Sequence, residues 1–243
     1  MSKTALVTGA ARRIGAEISR TLHREGFNLV LHYRESESAA ADLRDELNSK
    51  RSDSVRIIRA DLLEIENING MVAEVLDCWG GIDVLVNNAS AFYPTEVATV
   101  SESDWDEIIG CNLKAPYFLS LALASQLGVK RGCIVNLVDI HAQKPHKTYS
   151  VYCISKAGLV MLTQSLAREL APDVRVNGIA PGAIMWPEND ISEAEKKDIV
   201  SRIALGRTGT PSDVAKAVLY LVESGDYITG QIIPVDGGRS LYS

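Results

Sequence analysis

The chain has 243 residues, 46% of them hydrophobic, and its 25 basic and 31 acidic side chains give a formal net charge of −6. That balance, with no basic run, argues against nucleic-acid binding. Its apolar stretches are strand-length or broken by polar residues, so none is expected to span a membrane. The start, MSKTALVTGA, runs straight into a strand with no signal-type apolar region. The four cysteines (78, 111, 133 and 153) form no Cys-x-x-Cys pair and no metal-ligand spacing. The expectation is a cytoplasmic protein with reduced thiols and no metal; His141 and His146 read as loop surface rather than as a metal pair.

Short β-branched runs at 5–8, 28–33, 55–59, 84–87, 132–138, 175–180 and 232–235 predict seven strands. Between them, helices are predicted near 14–25, 38–49, 65–79, 102–126, 150–170 and 211–221. Strands that read as continuous apolar runs, separated by helices, imply a parallel sheet covered on both faces. The fold class is therefore α/β, a single doubly wound domain with no linker or repeat. The stretch 183–199 is the least regular. It follows a strand end, where such sheets bind ligands, and is expected to form a lid.

The first strand runs into TGAARRIG, residues 8–15. A turn that opens a helix offers free backbone N–H groups and a positive dipole to a pyrophosphate. Gly9 permits the tight turn and Gly15 the close helix–strand approach; Arg13 stands where a middle glycine is usual, between Arg12 and Ile14. The second strand ends in Tyr33, Arg34 and Ser36. An acidic residue here would favour the 2′-hydroxyl of NAD, whereas Arg34 and Ser36 suit the 2′-phosphate of NADP(H), with Arg12 adding charge nearby. Glu35 opposes that reading. Asp61, followed by Leu62, can accept a hydrogen bond from an adenine amine, or can simply cap a helix. Asn87-Asn88-Ala89-Ser90 ends the fourth strand, where the backbone passes an adenosine ribose or merely turns.

The segment 133–158 carries the chemistry. Tyr152 and Lys156, at i and i+4, share one helix face. An ammonium there holds the phenol in place and is expected to lower its pKa toward neutrality, preparing it to protonate a substrate as hydride arrives. Asp139 lies thirteen residues before Tyr152. A carboxylate would oppose the negative charge that grows on a carbonyl oxygen during reduction. It suits a carbon–nitrogen double bond, which needs a proton at nitrogen. The plainer alternative for Asp139 is a turn cap, and for Phe92 a core side chain.

With the glycine turn, Asp61, the Asn-Asn-Ala segment, Asn112, Tyr152/Lys156 and Pro181-Gly182, the chain resembles the short-chain dehydrogenase/reductases from end to end. Arg13, Asp139, NNASAFYPT at 87–95 and the His32-Tyr33 pair resemble the pteridine reductase branch, which includes bacterial dihydromonapterin and dihydrofolate reductases. The resemblance implies one NADP-binding Rossmann domain over 1–243 with a substrate lid near 183–204. It implies that Phe92 covers a pteridine ring against the nicotinamide, with Ser90, Arg13 and Met185 lining the pocket. Asn112 would hold a water at the lysine, Lys156 would grip the nicotinamide ribose, and the backbone near Ile184 would meet the cofactor. The more apolar Ala183-Ile184-Met185-Trp186 departs from the branch pattern. Antifolate-type inhibitors and a homotetramer, packed through the widely apolar helix at 150–170, are also expected. The alternatives are a carbonyl reductase, such as a 3-oxoacyl thioester reductase, for which position 139 should be serine or threonine, and a non-catalytic cofactor sensor.

Overall fold

A computed structural model describes residues 2–186 and 192–242. Seven strands, β1 (Thr4–Val7), β2 (Asn28–Tyr33), β3 (Val55–Arg59), β4 (Val84–Asn87), β5 (Cys133–Leu137), β6 (Arg175–Pro181) and β7 (Ile232–Val235), form one sheet. Their order is 3-2-1-4-5-6-7 and every pairing is parallel. The strands can be apolar at every position because both faces are covered. Leu6, Leu85 and Ile134 point to one face, under α3 (Ile65–Leu76), α5 (Ala115–Lys130) and α6 (Ser150–Glu169). Val7, Val86 and Val135 point to the other, under α1 (Arg13–Arg24), α2 (Glu37–Lys50) and α8 (Pro211–Glu223). The fold is the single doubly wound domain that the strand pattern predicts.

Two elements differ from the sequence reading. The helix expected at 102–126 is α4 (Glu102–Ile109) joined to α5 by a π turn at Gly110–Lys114. Such single-turn π insertions are common beside functional sites, and this one carries Asn112. The span Glu102–Lys130 has the length and apolarity of a membrane helix, but Leu119, Leu123 and Leu127 are buried against the sheet. The second difference is α7 (Glu193–Ser201), which lies inside the stretch read as irregular. It buries no residue, so no apolar period announces it. Its signal is the capping box, in which Ser192 and Glu195 satisfy each other's backbone N–H groups. Residues 187–191 of the expected lid lie outside the described residues.

Strand order reverses between β1 and β4, which opens a crevice at the carboxyl ends of the strands. Apart from Asn112, in the π turn, the segments singled out for the cofactor or the chemistry follow strand ends at that edge. Residues 8–15 follow β1, Arg34 follows β2, Asp61 follows β3, Asn88–Ser90 follow β4, Asp139 follows β5 and Gly182 follows β6.

Candidate active site

The turn after β1 is built by close backbone approach. Gly9 takes φ +60°, and a Cβ there would lie 2.9 Å from the Ala89 Cα. A Cβ on Gly15 would meet the Gly9 carbonyl at 2.3 Å and the Asn88 amide nitrogen at 2.6 Å. Asn88 donates its side-chain amide to the Thr8 and Gly9 carbonyls, while Thr8 Oγ1 accepts from the Asn88 and Ala89 N–H groups. The β1 and β4 ends are thus clasped. Arg13 adopts φ +52°, a left-handed conformation that explains why glycine is usual there. No side chain caps the start of α1 and no acid lies in its first turn. Its N–H groups and dipole, beside exposed Arg12 and Arg13, fit a dinucleotide pyrophosphate.

His32 locks the adjoining strand ends. Its Nδ1 accepts from the Gly9 N–H at 3.2 Å, so Nε2 carries the proton that is shared with the Ala60 carbonyl at 3.1 Å. Burial pushes its pKa down to about 4, which keeps the ring neutral. In the sequence His32 stands out only as half of the His32-Tyr33 pair that carries the resemblance. The structure makes it the tie between the glycine turn and the β3 end. Arg34 reaches Glu35 at 3.2 Å and Glu107 of α4 at 3.8 Å. Glu35, set against a phosphate site in the sequence reading, is therefore an ion-pair partner of Arg34. Asp61 accepts from the Leu63 N–H at 3.1 Å, a turn bond ahead of α3 and not the helix cap, since the N-cap of α3 is Glu64 and carries no side-chain cap bond. Ser36 begins α2 without a side-chain cap bond.

Beside the crevice, Tyr152 donates its hydroxyl to Asp139 Oδ2 at 2.8 Å, while Asp139 Oδ1 accepts from the His141 N–H at 2.8 Å. The carboxylate is both a turn cap and a partner of the phenol. Lys156, 3% exposed, donates to the Leu137 carbonyl at 2.8 Å and lies 5.6 Å from the Tyr152 ring centroid. Burial pulls its pKa down to about 8. Burial and then the Asp139 charge raise Tyr152 well above its usual value. This corrects the expectation of a phenol brought toward neutrality: the lysine yields part of its basicity and the tyrosine stays firmly protonated. Asn136, in β5, accepts from Asn87 at 2.8 Å and donates to Thr163 of α6 at 2.9 Å, a buried ladder that fixes the helix carrying Tyr152 and Lys156.

The Asn112 side chain makes bonds both to the segment after β4 and to α6. Its side chain accepts from the Ala91 N–H and donates to the Ala91 carbonyl and Ser155 Oγ. It positions the 88–95 segment against α6. On that segment Phe92, 49% exposed, is no core side chain. It stacks on Tyr149 (centroids 4.6 Å, 17° between planes) and meets Tyr152 edge-on at 4.7 Å. His146 packs against Tyr149 and His141 against His146, which extends the aromatic wall with residues that were not assigned to the pocket. Tyr149 carried a signal, three residues before Tyr152, but no motif marked it. Ser90 and Met185 are exposed, whereas Leu62 and Ile184 are buried in the core, so only their backbones are available to a cofactor. Tyr33 is buried, and Gly182 sits against Asp236, where a Cβ would meet the Asp236 Cα at 2.8 Å. The C-terminal segment folds back as well, with Lys144 donating to the Tyr242 carbonyl at 2.5 Å.

The family model described as enoyl-(acyl carrier protein) reductase matches residues 9–240. The 3-oxoacyl-(acyl-carrier-protein) reductase FabG of Staphylococcus aureus is 36% identical over 242 residues, covering 98% of each chain. Pteridine reductase 1 of Leishmania tarentolae is also 36% identical, over 98% of this chain and 96% of its own length. An uncharacterized oxidoreductase of Bacillus subtilis, YmfI, is 34% identical over 98% of this chain.

Proposed function

The chain belongs to the short-chain dehydrogenase/reductase family and is an oxidoreductase, and from that premise we propose that it reduces a dihydropteridine to the tetrahydro form with NADPH. One observation carries the reading: the tyrosine hydroxyl is bonded to a carboxylate, Asp139, and not to a hydroxyl side chain. A carbonyl oxygen that gains negative charge beside Asp139 would be destabilised. A pteridine instead presents ring N–H and amino donors, which the carboxylate accepts. The half-exposed ring of Phe92, stacked on Tyr149, suits a flat heterocycle.

The nicotinamide, when bound, supplies the hydride. The α1 N-terminus with Arg12 and Arg13 would hold the pyrophosphate, Asp61 the adenine, and Arg34 the 2′-phosphate. Lys156 would hold the ribose and, as an ammonium, orient Tyr152. Tyr152 keeps its proton until the substrate nitrogen takes it, and Asp139, half-buried at the pocket, returns one from solvent. Asn112 keeps the 88–95 segment against α6 as the site works. A cytoplasmic homotetramer completes the proposal.

The FabG relative supports a second reading, a 3-oxoacyl thioester reductase, which shares the cofactor residues. NADPH oxidation with dihydrobiopterin, dihydrofolate and an acetoacetyl thioester separates the two. Turnover of either pterin is expected. Turnover of the thioester alone would overturn the pteridine reading, and turnover of none would overturn both readings and leave the family assignment alone.

A further inference from the structure

Arg34 and Phe92 belong to different pockets in the proposed function, yet one side chain lies between them. The Glu107 carboxylate, half-buried on α4, uses both oxygens. Oε1 lies 3.8 Å from the Arg34 guanidinium, and Oε2 accepts the Tyr93 hydroxyl at 2.9 Å. Burial, followed by this carboxylate, pushes the Tyr93 phenol up to about 12, so it remains a donor. Tyr93 adjoins Phe92, the aromatic face of the substrate wall. Two residues earlier, the Ala91 backbone is clamped by Asn112, and Thr95 is bridged to Tyr149. The segment is thus held at Ala91 and Thr95, and between them Tyr93 is tied by its side chain to Glu107.

We propose that Glu107 is a positioning residue that couples occupancy of the 2′-phosphate site at Arg34 to the fit of the substrate against Phe92. The inference rests on the NADPH-dependent pteridine reading above. A 2′-phosphate competes with Glu107 for Arg34 and repels its carboxylate. The negative charge that Arg34 had shared then falls on the Tyr93 hydroxyl alone, and a hydrogen bond to an ionised acceptor strengthens as that acceptor loses its other partner. Tyr93 is held more firmly, and Phe92 with it. The dinucleotide that carries the phosphate therefore prepares the aromatic wall better than the one that lacks it.

The test measures the affinity of a 2,4-diaminopteridine for the binary complexes with NADPH and with NADH, in the wild type, Glu107→Gln and Tyr93→Phe. Glu107→Gln keeps an acceptor for Tyr93 but removes the charge facing Arg34; Tyr93→Phe keeps the charge and removes the hydrogen bond. In the wild type the probe should bind about three- to fivefold more tightly with NADPH, at the low end of coupling because the groups are partly solvated. Both variants should erase that difference while still binding NADPH in preference to NADH, a readout that mere loss of structure would not spare. Coupling that persists in both variants would overturn the inference and leave the function intact. Equal binding of the two dinucleotides by the wild type, or no binding of the probe, would remove the proposed function and this inference together.

Discussion

Tyr152 and Lys156 were legible in the sequence from helix geometry, and Asp139 joined them through the family resemblance, in which its position precedes the tyrosine. Their electrostatics were not. Burial is a property of the folded site, and it reverses the direction of shift expected for the phenol. If the hydroxyl acts as a positioned acid, Tyr152→Phe should cut the reduction rate by about 10²–10⁴-fold while NADPH affinity, measured by fluorescence titration, barely moves. The lysine sets the alkaline limit. Its pKa is depressed to about 8, and the ammonium is the form that orients Tyr152. The rate at subsaturating substrate should therefore fall as pH rises through about 8, whereas the phenol stays protonated beyond that point. A rate that is flat from pH 7 to 9.5 would remove Lys156 from that role. Asp139→Ser should lower pterin turnover sharply and raise that of the acetoacetyl thioester, as the panel above would record.

At the scale of elements, the strands were readable because their β-branched, two-sided apolar runs leave few other structures open to them. The π turn and α7 were not readable. The π turn changes only hydrogen-bond spacing within a continuous helical span, and α7 buries nothing, leaving its capping box as the local cue. His32 shows what an isolated strand residue can conceal. Its folded pKa, about 4, lies below the usual 6.5, so between these values the unfolded chain binds the extra proton. Stability is then present above pH 6.5 and is lost as pH falls toward 4, by about 3 kcal/mol if the full shift is expressed. Urea midpoints measured across that range should fall in the wild type and fall less in His32→Gln, whose amide makes similar bonds without titrating. Equal slopes would show that other groups, such as the also-depressed His23, carry the acid sensitivity.

For the whole molecule, the sheet edge and the crevice follow from strand order, while the outer helices α5 and α6 leave apolar side chains exposed. Next to the π turn, α5 and α6 enclose a groove of about 420 Å³ lined by Leu113, Tyr117, Phe118, Met161 and Leu162. Met161 is 61% exposed, and Ile154 and Leu121 are also open to solvent. A contiguous apolar face of this kind marks a protein–protein interface more often than bare surface. The face lies on the helix that carries Tyr152 and Lys156, so pairing of two such helices would stiffen the catalytic pair. The proposed homotetramer accounts for the face. Light scattering on the intact protein should return a tetramer, and Met161→Glu, which places a charge in the centre of the groove, should yield smaller species. Because α6 is still held by the Asn136–Thr163 and Lys156–Leu137 bonds, the dissociated variant should remain folded and lose turnover more than NADPH affinity. A wild type that is monomeric at micromolar concentration would leave this face without a second copy of the chain as its occupant.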